Sequence, residues 1–313
     1  MHLRSRRLAG LFGAALFLAA CGPGATPSPS AAPTGAASLP VPSAAPSPVA
    51  NVPTNQLIFP GKLLVCSDIP YPPLEYFDDQ GNPTGSDIEL ATEIANRLGL
   101  QIEVVNSVFD TIIAAVTGGK CDIIVSDMNI TAKRVEQVDF VPYQAFGQAF
   151  LVPTGNPEGI QAELDLCGKK IGAETGTTEV DYVQGTGDYV STGGLKKKCT
   201  DAGKTAPTMQ VYQKDPDGVL ALAAKSIDVY FEDTPVVAYY AQQQASQFMI
   251  APVPQLNSIK VGIGVPKTNT GLRDAVKTAL LSMIQDGTYL QILKKYKVDN
   301  GALQASDIVI NKS

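Results

Sequence analysis

The chain has 313 residues, 44% of them apolar, with 30 acidic and 24 basic side chains. An excess of acid over base argues against nucleic acid as a partner. The single histidine is His2, at the extreme N-terminus, so a Ser-His-Asp triad, a Cys-His pair and a His-ligated zinc site are all excluded from the body of the chain.

Residues 1–20 read as an export signal. Arg4, Arg6 and Arg7 precede an apolar run from Leu8 to Ala20, too short to span a bilayer as a mature helix. The run ends Leu18-Ala19-Ala20-Cys21, which resembles a bacterial lipobox and implies lipid attachment at Cys21. Residues 22–56 carry no charged side chain and nine prolines among Ala, Ser, Thr and Gly. Such a segment buries too little apolar area to offset its ordering entropy, so 21–56 is expected to be a lipid-anchored tether. Fully extended, it reaches on the order of 100 Å. No later apolar run approaches eighteen residues. Without the three leader arginines the balance is 30 acidic to 21 basic.

From Leu57 onward the periodicity alternates between strand and helix. Lys62 to Ser67 reads as a buried strand. Ser86-Asp87-Ile88-Glu89 has the form of a capping box, and Ile88, Ala91, Ile94, Ala95 and Leu98 follow at helical spacing up to Gly99. Gln101 to Val105 is a strand and Asp110 to Val116 a helix. The turn Gly118-Gly119-Lys120 leads into Ile123-Ile124-Val125, a short buried strand that turns polar at once through Ser126, Asp127, Asn129 and Thr131 to Arg134. This β-α-β-α-β order predicts a parallel sheet. An extended, aromatic-rich stretch (Phe140 to Val152) precedes a second round. That round has strands at 170–173, 209–212 and 228–231, and helices from Thr177, at 216–226 and at 234–245. A strand at 258–265 and helices at 272–284 and 288–296 complete the chain.

Four segments could face a cleft between two such lobes. Asp68-Ile69-Pro70-Tyr71 ends the first strand and stiffens Tyr71 as an aromatic plate. Phe109 is a candidate opposing plate. Gly172-Ala173-Glu174-Thr175-Gly176-Thr177-Thr178 joins a strand to a helix start, whose free N–H groups attract an anion. Glu232-Asp233 offers carboxylates to an ammonium group. Arg134 presents a planar fork for a carboxylate. A zwitterionic amino acid needs these parts together.

Of five cysteines, Cys21 is assigned to lipid, which leaves three possible pairings of the other four. Cys167 and Cys199 flank one segment, and a bridge between them is expected. Cys66 and Cys121 stay open, because their heights in a parallel sheet need not match.

Asp68 to Tyr76, Gly85 to Leu90, Asp122 to Arg134, Gly172 to Thr178, Asp228 to Asp233 and Asp286 to Tyr289 occur in the order and spacing of solute-binding protein family 3, the polar amino-acid-binding proteins of ABC importers. The chain resembles that family over about 60–298. The resemblance implies an α/β fold, a two-lobed periplasmic-binding-protein clamshell of type II. Each lobe would be a mostly parallel sheet flanked by helices, with lobe 1 from 57–146 plus 257–313 and lobe 2 from 147–256.

It further implies that Arg134 and Thr178 clamp the α-carboxylate and Asp233 meets the α-ammonium. Tyr71 and Phe109 would hold the side chain, and Asp68 and Ser126 would contact its far end. Asp127, Asn129 and Glu174 depart from the family pattern. Asp68, Asp127, Glu174 and Asp233 outnumber Arg134, and a dry cleft penalises unbalanced charge, so a cationic side chain (lysine, arginine or ornithine) is expected. The implied protein is a monomeric, extracytoplasmic receptor, lipid-anchored at the outer face of the cell membrane, that passes a free amino acid to ABC permease subunits without chemistry, cofactor or metal. The alternatives are a lyase or dehydratase on the same scaffold, with Glu174 or Asp127 as general acid, and a sensor module not coupled to transport.

Overall fold

The computed structural model describes residues 48–313. The export signal, Cys21 and the tether up to residue 47 lie outside the described residues. Residues 48–56, assigned to the tether on composition, are laid against the fold. Val49 N–H bonds the Arg97 carbonyl, Val52 is buried, and Gln56 Oε1 accepts from Leu272 N–H at 2.7 Å. One backbone bond, one apolar side chain and one side-chain amide suffice to hold a segment that carries no charge.

The first part of the chain runs β1 (Lys62–Ser67), the hairpin β2 (Tyr76–Phe77) and β3 (Pro83–Thr84), α1 (Ser86–Arg97), β4 (Gln101–Asn106), α2 (Ile112–Thr117), β5 (Ile123–Ile124) and α3 (Ala132–Val135). A long strand, β6 (Val138–Pro153), leads to β7 (Lys170–Glu174), α4 (Thr178–Gln184), α5 (Gly194–Asp201), β8 (Thr208–Tyr212), α6 (Asp215–Ala223), β9 (Val229–Asp233), α7 (Thr234–Gln243) and β10 (Phe248–Ile250). The chain returns through β11 (Leu256–Pro266) to α8 (Thr270–Asp286) and α9 (Thr288–Lys295).

Among the described residues all strands but the β2–β3 hairpin form one curled sheet in the order β4-β1-β5-β11-β6-β9-β7-β8, with β10 beside β6. It contains two parallel triplets. β4, β1 and β5 run parallel at one end, and β8, β7 and β9 at the other. β6 and β11 are the two crossings that join them. β11 pairs antiparallel with β6 from Val138 to Gln148, and β6 then pairs with β9 from Gln148 to Leu151. Each triplet is covered on both faces, as parallel sheets require. A cluster under α2 holds Leu64, Cys66, Ile112, Val116, Cys121 and Ile124, and one under α4 and α5 holds Ile171, Tyr182, Leu195 and Phe231. The remaining faces share one large core that includes Leu63, Ile94, Tyr143, Tyr230, Val236 and Leu280.

Both cysteine pairs are closed. Cys167 bonds Cys199 as expected, and Cys66 bonds Cys121 with their Cα atoms 5.7 Å apart. The strand register sets Cys66 beside Ile124, but the bend before β5 brings Cys121 level with it on the face under α2.

The expected capping box at Ser86 does not form. Gly85 is the N-cap of α1, and Glu89 N–H bonds its carbonyl. Ser86 and Asp87 N–H bond the carbonyls of Pro73 and Leu74, and the Glu89 carboxylate is drawn to Lys295. The loop after β1 thus caps the helix from outside, and the Ser86 hydroxyl is left without a partner.

Candidate amino-acid-binding cleft

The six strands of the two triplets point their carboxyl ends at one another, where open α/β sheets hold ligands. Between them lies a small, partly open cavity. Eight of the ten predicted site residues line it: Asp68, Tyr71, Phe109, Ser126, Asp127, Asn129, Glu174 and Asp233. Arg134 and Thr178 stand just outside, with Phe109, around an adjoining pocket. Glu75, Thr177 and Glu179 complete the wall.

Most of these side chains are delivered by strand ends or the loops that follow them. Asp68 follows β1, and its Oδ2 accepts from Phe109 N–H at 2.8 Å. That bond fixes the short turn that carries Phe109. Ser126 is committed locally: its hydroxyl donates to Glu75 Oε1 at 2.7 Å and accepts from Asp68 N–H at 2.8 Å. Asp127 has φ +40°, a left-handed conformation that costs a non-glycine residue about 1–2 kcal/mol. The conformation is held by the buried Asp87, whose Oδ2 accepts from Asp127 N–H at 2.9 Å and from the Tyr143 hydroxyl at 2.5 Å. Strain maintained from below in this way turns the Asp127 carboxylate into the cavity.

Arg134 is buried in the short helix α3, capped by Thr131. Its Nη1 donates to the Asn129 carbonyl at 2.8 Å and its Nη2 to the Gly176 carbonyl at 2.9 Å. The guanidinium carbon lies 5.2 Å from the centre of the Phe109 ring. The fork is therefore oriented by backbone from both ends of the sheet. Thr178, at the start of α4, donates to Asn129 Oδ1 at 2.7 Å and accepts from Gln148 Nε2 at 2.8 Å. The Tyr71 hydroxyl donates to Glu232 Oε2 at 2.6 Å and lies 3.5 Å from Asp233 Oδ2.

The wall is strongly acidic. Burial raises Asp127, with the Asp87 and Glu179 charges adding, and raises Asp233, with Glu179 and Asp127 adding. Burial and the charge of Asp68 push Glu174 up to about 12. Burial lowers Arg134, and Glu179 opposes the change. Several buried polar atoms have no partner: Asp127 Oδ1 and Oδ2, Asp233 Oδ1, Glu174 Oε1 and Asn129 Nδ2. Unpaired acceptors on a buried wall are costly, and such groups are normally satisfied by protein, ordered water or a bound molecule. Among the described residues no group of His, Cys, Asp and Glu is placed to hold a metal ion.

Sequence reasoning missed Lys214, Glu75, Glu179 and Gln148. Lys214 follows β8, so the rule that picked out the other strand ends applies to it as well. Its ammonium pairs Asp68 across the cleft. Glu179 directly follows Thr178 and accepts from Gln148 Nε2 at 2.6 Å.

This fold and this polar cleft are those of a bacterial solute-binding protein. The chain belongs to the bacterial extracellular solute-binding proteins, family 3, which it matches over residues 63–299. It is 25% identical over 237 residues to the L-cystine-binding protein TcyJ of Escherichia coli, covering 75% of this chain and 82% of that one. It is 29% identical over 227 residues to the ABC transporter arginine-binding protein 1 of Escherichia coli, covering 71% and 85%. Among solved structures, an ancestral arginine-binding protein bound to arginine is similar at 33% identity and a TM-score of 0.66, covering 75% of this chain and 98% of that chain. The family is extracytoplasmic, and no helix among the described residues is long and apolar enough to cross a membrane.

Proposed function

We propose that the protein is the receptor of an ABC uptake transporter and closes on an α-amino acid with a cationic side chain: lysine, ornithine or arginine. The relatives differ in ligand, so the side chain has to be read from this cleft. The observation that carries the reading is the polarity of its unpaired wall atoms. The unpaired donor, Asn129 Nδ2, sits beside Arg134 and Thr178. The unpaired acceptors belong to Asp127, Asp233 and Glu174. A zwitterion with a second positive charge supplies the missing partner to each.

In this reading Arg134, Thr178 and Asn129 take the α-carboxylate, and Asp233 with Asp127 takes the α-ammonium. Tyr71 and Phe109 flank the side chain. Closure is a population shift limited by the ligand's preference for the closed form. The hinges lie in the two crossings, near 143–149 and 254–259, between lobe 1 (57–146 with 257–313) and lobe 2 (147–256). Lipid on Cys21 and the tether keep the monomeric receptor near its permease. The ligand leaves unchanged, so no residue is assigned a catalytic role.

The test is calorimetry on protein unfolded and refolded to strip carried-over ligand, against the twenty amino acids and ornithine. Micromolar or tighter binding confined to cationic members is expected, with the ligand recovered intact. Tighter binding of glutamine than arginine would refute the charge argument. Consumption of the ligand over hours would replace the receptor with a lyase acting through Glu174.

A further inference from the structure

Lys214 reaches across the cleft from the loop between β8 and α6. Its Nζ pairs with Asp68 Oδ1 and donates to the Ser107 carbonyl at 2.8 Å and the Ile69 carbonyl at 3.2 Å. Asn106 Oδ1 lies 3.5 Å away. Asp68, Ile69 and Ser107 belong to the loops after β1 and β4 and Asn106 ends β4, so all four acceptors lie at the opposite end of the sheet. Asp68 is almost fully buried, and its other oxygen is held by Phe109 N–H. Both carboxylate oxygens are thus engaged by the protein itself. A cation arriving at Asp68 with the ligand would meet the Lys214 ammonium on the same carboxylate, and like charges in a dry cleft repel strongly. Glu174, at the end of β7, differs in the relevant respect: its Oε1 lines the same space and has no donor, and a ligand cation placed against it would draw the raised carboxyl back toward its charged form.

The geometry points to Lys214 as a specificity-determining residue: it serves as the resident counter-cation of Asp68 when the cleft closes, so that the cation of the ligand's side chain is read by Glu174 instead. This rests on the amino-acid reading above and alters the role the family resemblance implies for Asp68. The pocket then takes side chains whose cation ends at Glu174.

The experiment is a calorimetric cycle with L-lysine, L-ornithine, L-arginine and L-glutamine on the wild type, Lys214→Met, Glu174→Gln, Asp68→Asn and the double variant Lys214→Met with Asp68→Asn. Methionine keeps most of the aliphatic stem and removes the charge. Lys214→Met uncovers Asp68 and should raise the preference for the cations over glutamine by about tenfold, and adding Asp68→Asn should cancel the gain. In the wild-type background Glu174→Gln should lower that preference by a similar factor, and Asp68→Asn, which leaves the Lys214 ammonium without its counter-charge, should lower it as well. Lys214→Met weakening every ligand by one common factor would overturn the assignment. So would the double variant losing the wild-type preference for the cations, since Glu174 alone is then left to read them. If the wild type binds none of the four, the functional reading fails, and Lys214 is judged by solution X-ray scattering of the ligand-free protein. Lys214→Met should then give a larger radius of gyration than wild type, and equal radii would overturn the pairing across the cleft.

Discussion

The Tyr71 hydroxyl donates to Glu232 Oε2 at 2.6 Å, joining the loop after β1 to the end of β9. Neither strand touches the other in the sheet, so the bond belongs to the closed arrangement of the two ends. Burial raises both groups well above their usual ranges, with the Glu232 charge adding at Tyr71 and Asp215 at Glu232. Tyr71→Phe keeps the aromatic plate and removes the donor. It leaves a buried carboxyl oxygen unpaired, at a cost of about 1–3 kcal/mol. We expect about tenfold weaker amino-acid binding by calorimetry, with the circular dichroism of the free protein unchanged.

Arg134 offers a sharper test of the carboxylate end. Its two backbone bonds set the guanidinium plane, so neither a shorter side chain nor a lysine reproduces the fork. Arg134→Ala should cost about 3 kcal/mol, on the order of a hundredfold in affinity, because the ligand carboxylate is left unpaired in a dry cleft. Arg134→Lys should recover only part of that. A loss of about twofold for Arg134→Ala would remove it from the binding machinery.

Gly85 is required by the route of the backbone. Its φ is +121°, and a Cβ there would lie 2.1 Å from the Leu74 carbonyl oxygen, which itself caps α1. Relief by side-chain movement is unavailable because the obstacle is main chain. Gly85→Ala should destabilise the fold by about 2–4 kcal/mol in urea denaturation. It should also disturb the cleft, since the next residue after Leu74 is the wall residue Glu75.

The acid network makes stability depend on pH in a definite direction. Burial raises Asp87 to about 6 and Asp215 to about 7, in each case against hydrogen bonds that favour the charged form. Between the unfolded value near 3.8 and these folded values, the native state binds more protons than the unfolded chain. Their contribution is therefore fully present below about pH 4 and is lost as pH rises toward 7. Thermal melts of ligand-free protein should show this loss as a falling trend across that window. Asp215→Asn, which keeps shape and removes the ionisation, should flatten it. A midpoint that rises from pH 4 to 7 in wild type, and is unchanged in slope by Asp215→Asn, would contradict the assignment.

The secondary structure was legible wherever local pattern and burial agree. The strands at 62–67 and 170–174 and the helix ended by Gly99 are runs whose apolar period has one satisfactory solution. The wall of the cleft was legible too, because Asp68, Ser126, Glu174 and Asp233 each follow an apolar strand, and a strand end in a parallel sheet faces one edge. Composition misled at 48–56, where a charge-free segment still finds three anchoring contacts. Periodicity misled at Ser86, where a capping signal was overruled by carbonyls from residues 73 and 74.

What the sequence determined by itself was therefore the order of strands and helices and the set of residues at their ends. What only the tertiary structure decided was which of those residues face each other. The pairing of Lys214 with Asp68 spans 146 positions, and that of Tyr71 with Glu232 spans 161. The same holds for the Cys66–Cys121 bridge, which depends on the bend before β5. Contacts of this kind leave no local signature, because their energy is gained only when two separately folded edges meet. The net charge of the cleft, and with it the side chain it accepts, is a sum over residues from both edges, and it is defined only once they have closed.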